Sequence, residues 1–359
     1  MSASPPAAYR APLPFTGPNL LAPMEGVTDP VFREVVSALH VSSDLGGSFT
    51  EFVRVVEHTL PLEVLVRELG IPAAHVPVGV QLMANREAPL EGTTAVAFEA
   101  GAPIVDLNFG CPAKGTLKGC AGAALLDDPA RVERLVAAAV RGANGRPVSA
   151  KIRAGGDDDA RLEELARAVE NGGAALLTVH CRTRKEGYAD TADWRRIERA
   201  VAAVSLPVCA NGGVNRHADL ARVRAATGAA FAMIGRAALS DPWVFSGVCA
   251  DRRAAGEFLL VYFARMTAAG ATESQAAGRV KQLLKNWTAG GLADASRRDW
   301  LVLQDPRELV AAIARAASEG EAPVVDSCPS YAPETAFARA RLLHSERTEA
   351  PADPPGRAR

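Results

Sequence analysis

Short apolar runs rich in β-branched residues alternate with longer stretches of helical period through most of the chain. Amphipathic patterns such as PVFREVVSALH and DPARVERLVAAAV follow most of these runs. This alternation is typical of a parallel sheet with crossover helices, and no G-x-G-x-x-G follows the first run,. Eight repeats over about 230 residues predict a (β/α)8 (TIM) barrel rather than an open doubly wound sheet. The predicted strands are 19–24, 48–53, 77–82, 104–108, 147–152, 174–180, 207–211 and 230–235.

The pattern changes on both sides of this predicted barrel. Residues 1–17 and 319–359 are rich in Pro and Ala and have no period, so we expect a flexible N-terminal tail and a disordered C-terminal tail,. Residues 18–248 carry the barrel pattern. Residues 249–318 show helical patterns only, which predicts a small all-helical domain after the barrel,.

Composition narrows the class of protein. Apolar residues make up 48% and charged residues 23%, as in ordinary globular proteins,. No apolar run is long enough for a membrane helix and the N-terminus lacks a signal-peptide pattern, so we expect a cytoplasmic protein without a membrane partner,. The six cysteines form no C-x-x-C pair and His180 has no partner at ligand spacing, so no metal is expected,.

The charge balance allows nucleic-acid binding only through a local patch, because the formal net charge is −1,. Residues 279–298 provide a candidate, since five basic residues there oppose one acidic residue. A phosphate-tracking surface would have this composition. A solvated helix face balanced by carboxylates elsewhere would have it too.

Polar residues are concentrated where the predicted strands end, and in such a barrel these carboxyl ends meet at the functional face. They are Pro23, Met24 and Glu25 after the first strand, Gln81 in the third, Asn108 and Cys111 at the fourth, Lys151 and Arg153 in the fifth, His180 in the sixth, Asn211, Gly212 and Gly213 at the seventh, and Gly235 and Arg236 at the eighth.

Two features of this face predict an anionic ligand. Lys151 ends an apolar run, and a buried ammonium is costly unless an anion or an electron-rich ring meets it,. The glycines after the last two strands allow backbone N–H groups to approach a phosphate, although either turn alone could be ordinary. Together they predict a phosphate cradle.

Cys111 and His180 are the candidate chemical groups. Cys111 lies in a polar Gly-Cys-Pro turn directly after a strand, where a thiol can donate a proton or act as a nucleophile,. The other cysteines fit small core residues better. His180 could be a core histidine, and as a functional group it would donate a hydrogen bond to a cofactor ring.

Eight segments in order resemble the tRNA-dihydrouridine synthase family. They are APMEGVTD, TEFVR, VQLM, DLNFGCPAK, KIR, VHCRT, ANGG and MIGRAAL, and the later RVKQLLKNW is similar to that family's RNA-binding helical module. Each segment alone is weak, but the ordered set covers roughly residues 20–317,.

The resemblance implies a flavoprotein in which NADPH reduces FMN, hydride passes to C6 of a tRNA uracil, and Cys111 protonates C5. It also implies that the target uridine is flipped out of its stack. By the same matching, Lys151 would stabilise the anionic reduced ring and Arg236 would hold the phosphate. The residues implied around FMN are Pro23, Met24, Glu25, Gln81, Lys151, His180, Asn211, Gly212, Gly213, Gly235 and Arg236.

Asn108 and Arg153 are implied to hold the uridine and Lys114 to contact the tRNA, while Arg54, Arg279 and Lys281 would orient it. Glu25 and the TEFVRV segment resemble the C-type bacterial branch, which reduces D-loop uridine 16. We expect the protein to be a monomer. In two places the chain departs from the family pattern. Gly213 stands where a carboxylate is common, so one flavin or ribityl contact is expected to be lost or supplied by the backbone. Leu283 replaces an expected aromatic residue, which predicts weaker base stacking or an altered tRNA orientation,.

Two other functions are also compatible with the sequence. An FMN barrel oxidoreductase acting on a free small molecule would explain Cys111 and the flavin-like residues, but not the basic helical segment. A tRNA-binding folding chaperone with dispensable catalysis would explain that segment, but it predicts no effect of Cys111→Ala.

Overall fold

The computed structural model of the 359-residue chain describes residues 12–113, 121–187 and 192–319. Its strands are all parallel and close into a barrel, because β9 pairs with β1 through Leu20 opposite Met233. The (β/α)8 barrel predicted from the sequence is confirmed. The strands are β1 Asn19–Leu21, β2 Gly47–Phe49, β3 Val53–Val55, β4 Val78–Ala84, β5 Val105–Phe109, β6 Val148–Arg153, β7 Leu176–His180, β8 Val208–Asn211 and β9 Phe231–Ile234.

The second barrel position is shared by two short strands. β2 pairs with the start of β4, Ser48 opposite Val78, and β3 pairs with its end, Val53 opposite Leu82. The sequence predicted one continuous strand over 48–53. At the break, the hydroxyl of the buried Thr50 accepts a hydrogen bond of 3.0 Å from the Gln81 backbone N–H.

Helices α1 to α8 connect or follow the strands, and α9 to α12 form the helical domain. Asp29 and Asp128 cap α1 and α4 with their carboxylates, and in both cases a proline occupies the first turn,. The helices are α1 Pro30–Ala38, α2 Leu62–Leu69, α3 Glu87–Glu99, α4 Pro129–Ala143, α5 Leu162–Asn171, α6 Arg195–Ala203, α7 His217–Thr227, α8 Ala237–Ser240, α9 Arg252–Ala268, α10 Glu273–Leu284, α11 Arg297–Val302 and α12 Pro306–Ser318.

The apolar core has two parts. The larger lies between the strands and the surrounding helices, as expected for a parallel sheet that is buried on both faces,. The smaller fills the barrel interior at the amino ends of the strands, and Phe15 closes it with ring contacts to Phe49 at 5.9 Å and Phe231 at 5.5 Å. Phe15 falls within the segment expected to be a flexible tail, but its aromatic ring packs here because it covers apolar surface that would otherwise face water.

The helical domain packs on α1 through an aromatic cluster. Phe32 contacts Phe258 and Tyr262 edge to face, and Trp287 lies against Phe258 at 5.5 Å. Leu283 is 2% exposed within this apolar core. Its side chain therefore packs inside the protein, and the weaker base stacking expected from Leu283 stays a prediction. Residues 1–11 and 320–359 of the predicted tails lie outside the described residues.

Candidate functional site

A cavity of about 480 Å³ opens at the carboxyl ends of the strands. Every residue predicted for the cofactor except Gln81 lines it, and so do Asn108, Cys111 and Arg153 from the predicted catalytic and RNA-contacting sets. Gln81 is fully buried and contacts Asn108 instead. The lining residues from the prediction are Pro23, Met24, Glu25, Asn108, Cys111, Lys151, Arg153, His180, Asn211, Gly212, Gly213, Gly235 and Arg236.

The turn after β8 is built for close approach by a ligand. Gly212 and Gly213 have φ angles of +96° and +71°, which L side chains rarely adopt,. A Cβ on Gly212 would lie 2.8 Å from Cys181 Sγ, and one on Gly213 would lie 2.5 Å from Ala192 Cβ. Trp194 holds the turn by donating from Nε1 to the Gly212 carbonyl at 3.0 Å. A side chain at Gly213 would be strained by the positive φ and would meet Ala192,.

Lys151 and His180 set the electrostatics of the cavity wall. Burial, followed by the neighbouring Arg153, lowers the pKa of Lys151 to about 8, so its ammonium form predominates at pH 7,. Burial and the nearby cations also hold the pKa of His180 well below its usual value. The neutral ring accepts from the Arg182 backbone N–H at Nδ1, at 3.4 Å, which leaves the proton on Nε2,. The wall therefore offers a cation and a ring N–H donor.

The turn that carries Cys111 is held by hydrogen bonds on both sides. Asn108 Oδ1 accepts from the backbone N–H groups of Gly110 and Cys111, at 2.9 and 3.0 Å. Arg153 Nε donates to the Gly110 carbonyl at 2.8 Å, and its Nη1 bonds the Thr183 and Gly187 carbonyls. Arg153 is 3% exposed, so its guanidinium also braces the loops around the thiol.

A polar network lies beneath the cavity floor. Asp106, 1% exposed, accepts from Gln81 Nε2 at 2.7 Å and from the Ser149 hydroxyl at 2.6 Å. Gln81 Oε1 accepts in turn from Asn108 Nδ2 at 2.8 Å. Burial raises the pKa of Asp106 to about 6, although these hydrogen bonds and Lys151 favour the carboxylate,. Asp106 therefore remains largely ionised at neutral pH.

Arg279 joins the helical domain to the mouth of the barrel. It pairs with Asp29, bonds the Gly26 carbonyl, and lies 3.8 Å from Glu51. The Tyr262 hydroxyl donates to the same Asp29 carboxylate at 2.7 Å. This cluster supports the loop after β1, which carries five residues of the cavity lining. Arg279 thus has a structural role that the sequence did not indicate.

Arg54 and Lys281, also predicted to contact RNA, are not among the residues that line the cavity. Arg54 is exposed beside Phe52, which lines the cavity, with its guanidinium 6.0 Å from the ring centroid. Lys281 bonds the Leu303 carbonyl. Lys114 lies outside the described residues. In the basic segment, Lys285 and Arg298 are exposed.

Sequence reasoning did not select Arg182, which is 3% exposed and lines the cavity. Together with Asn215 and Arg236, Arg182 also lines a neighbouring cavity of about 690 Å³ between the barrel and the helical domain. The sequence signal that could have identified Arg182 is its position two residues after His180 in the VHCRT segment. Asp106 was likewise overlooked, because a strand aspartate gives no sign of its buried partners.

Within the described ranges, no helix has the length and apolar character needed to cross a membrane. The same residues hold no group of three or more His, Cys, Asp or Glu side chains suited to a metal ion.

Comparison with known proteins agrees with these observations. The tRNA-dihydrouridine(16) synthase of Ralstonia nicotianae is 37% identical over 318 residues, which cover 83% of this chain and 95% of that protein. The proteins of the same name from Cupriavidus necator and Haemophilus influenzae are 41% and 39% identical, over 62% of this chain and 71% and 74% of their own lengths. Residues 20–281 match the dihydrouridine synthase (Dus) family, and the chain belongs to that family.

Proposed function

We propose that this protein is a tRNA-dihydrouridine synthase that reduces the C5–C6 double bond of a D-loop uridine, position 16, with FMN and NADPH. The observation that carries the proposal is the joint placement of Cys111, Asn108, Lys151 and the β8 glycine turn around one cavity in a chain of this family. The relatives named as position-16 synthases support the choice of uridine.

The cavity residues fit FMN. The positive-φ turn at Gly212 and Gly213 has no side chain where a phosphate would approach, and Arg236 lies on the same cavity wall,. An anionic ring next to Lys151 would relieve the cost of its partly buried ammonium,. His180 Nε2 offers a donor to a ring acceptor. When bound and reduced by NADPH, FMN would supply the hydride that adds to C6 of uracil.

Cys111 supplies the proton in this proposal. The thiol lies at the cavity wall on a turn held by Asn108 and Arg153, so its position does not depend on substrate. Transfer of the Sγ proton to C5 completes saturation of the double bond and leaves a thiolate beside the cations of the site. Water then restores the thiol for the next turnover.

The test is to incubate the purified protein, FMN and NADPH with an unmodified tRNA transcript and to map reduced uridines at single-nucleotide resolution. Product at position 16 supports the full proposal, and product at another D-loop position rejects only the position. Cys111→Ala should lose product while keeping tRNA binding. Cys209→Ala is the matched control, since Cys209 is buried in the apolar cluster of the barrel interior. Flavin that is reduced by NADPH without any tRNA product would reject the proposal in favour of a small-molecule substrate.

A further inference from the structure

The buried carboxylate of Asp106 determines which way the Gln81 amide points. An ionised carboxylate only accepts hydrogen bonds, so Gln81 must present its NH2 group to it,. Gln81 is fully buried, so no water can replace a mismatched partner,. The Gln81 oxygen therefore faces Asn108 and requires a donor from it.

Hydrogen bonds to both the oxygen and the nitrogen of the Asn108 amide fix its orientation. Its oxygen already accepts from two backbone N–H groups, those of Gly110 and Cys111. One N–H of its NH2 group goes to Gln81, and the second has no partner among the described residues. Asn108 lines the cavity, so what it offers a ligand is a donor and not an acceptor,.

The direction of this donor has a consequence for base recognition. Cys111 lies three residues after Asn108 in the same turn and acts at C5 in the proposed function. C5 has two ring neighbours, C6 and C4. We place Asn108 on the C4 side, because it bonds the Cys111 backbone N–H at 3.0 Å and C6 must face the hydride donor. The substituent on C4 is a carbonyl oxygen in uracil and an amino group in cytosine. An N–H at this point donates to the uracil carbonyl oxygen but opposes the cytosine amino group, which is itself a donor.

We propose that Asp106 and Gln81 are positioning residues that lock Asn108 with an N–H toward the bound base, and that this lock selects uracil over cytosine. The inference rests on the proposed function for its substrate. The lock itself is a property of the buried amides and can be tested without RNA.

Variants that reverse the direction of the hydrogen bonds among Asp106, Gln81 and Asn108 test the lock. Asn108→Asp places an acceptor opposite the Gln81 oxygen, and turning Gln81 around only moves the conflict to Asp106. The double variant Asp106→Asn with Asn108→Asp removes the conflict, because the amide introduced at position 106 can donate to a reversed Gln81 and accept from Ser149. We expect the single Asn108→Asp variant to lower the melting temperature and the double variant to recover most of that loss.

A second pair provides a matched control that leaves Asn108 in place. Gln81→Glu opposes two carboxylates and should also be destabilised, and adding Asp106→Asn should rescue it. In this rescued protein the two carboxylate oxygens introduced at position 81 can accept from both neighbouring amides, so Asn108 keeps its direction. This pair also tests the lock if Asn108→Asp does not fold in either background.

Base selection is measured by equilibrium binding of the flavin-loaded proteins to an unmodified tRNA transcript and to the same transcript with cytidine in place of its D-loop uridines. Wild type and the rescued Gln81→Glu protein should prefer the uridine transcript by roughly tenfold or more, the factor expected for one mismatched buried hydrogen bond. The double variant at 106 and 108 should lose that preference or reverse it.

The melting temperatures test the lock, and the binding preference tests its role in base selection. If Asp106→Asn raises the melting temperatures of Asn108→Asp and Gln81→Glu by no more than it raises that of the wild type, the effects are additive and the lock is overturned. Rescue with an unchanged preference in the reversed protein overturns the role in base selection. If wild type binds and reduces no tRNA uridine, the proposed function fails, while the melting temperatures still decide whether the lock exists.

Discussion

Replacing Asp106 with Asn should make the protein more stable at neutral pH. The carboxylate is ionised at pH 7 although it is 1% exposed, and burial raises its pKa from 3.8 to about 6. That difference of roughly 2 pH units corresponds to about 3 kcal/mol of unfavourable free energy for the charged form at pH 7. Asn has nearly the same shape and no charge, so it removes this cost.

One new cost opposes this gain. The Asn amide carries two N–H groups, and Ser149 can accept only one of them. An unmatched buried N–H costs about 1–2 kcal/mol. The expected net stabilisation at pH 7 is therefore about 1–2 kcal/mol, which corresponds to a rise of a few degrees in melting temperature.

The pH dependence gives the sharper assay. The folded-state pKa of Asp106 lies above the unfolded value, so the folded wild type takes up a proton between about pH 6 and pH 4 and gains stability there as the pH falls,. The variant cannot do so. Urea unfolding at pH 7 and pH 4, with the ligand state matched, should show the variant more stable at pH 7 and slightly less stable at pH 4.

A difference between variant and wild type that is the same at both pH values would refute this reasoning, because Asp106 would then titrate normally. Destabilisation of the variant at pH 7 would refute it as well. Ser149→Ala is the matched control. It removes one hydrogen bond to the carboxylate, so it should destabilise the protein and shift the pH window upward without abolishing it,.

The site and its supports give three further predictions. Lys151→Met should weaken FMN binding at least tenfold in a fluorescence titration, since it removes the cation from the cavity wall, and unchanged affinity would reject its role,. Lys285→Ala with Arg298→Ala should weaken tRNA binding and flatten its salt dependence by roughly one unit of slope per lost phosphate contact, whereas an unchanged slope would place the RNA surface elsewhere,. Arg279→Ala should lower the free energy of unfolding by about 1–2 kcal/mol, because its carboxylate partner in the β1 loop is only partly exposed,. Arg253→Ala, which removes an exposed pair within α9, should change it by less than about 0.5 kcal/mol, and equal effects would refute the interdomain role of Arg279,.

The sequence located the cavity wall well because barrel geometry converts strand order into spatial proximity. Residues such as Cys111, Lys151 and Asn211 are far apart in the chain, but each stands at the carboxyl end of a parallel strand,. Gln81 is the instructive exception. It lies in the same register, yet its side chain is directed to Asp106 and Asn108.

Arg279 and Lys281 illustrate what a charge count cannot decide. Both belong to a basic segment that predicts a phosphate-binding surface, and both bond to groups of this chain. Their partners, Asp29 and the Leu303 carbonyl, are distant in sequence or belong to the backbone. A net charge on a segment does not reveal which of its cations are already engaged.

By itself the sequence determined the barrel, the helical region after it and the set of polar residues at the barrel mouth, because periodicity and strand ends are local properties of the chain. Only the tertiary structure decided the directions of the amides at positions 81 and 108, the pKa of Asp106 and the contact of Arg279 with the β1 loop. Each of these depends on which groups from distant segments share a space without water, where an unmatched charge or hydrogen-bonding group is costly.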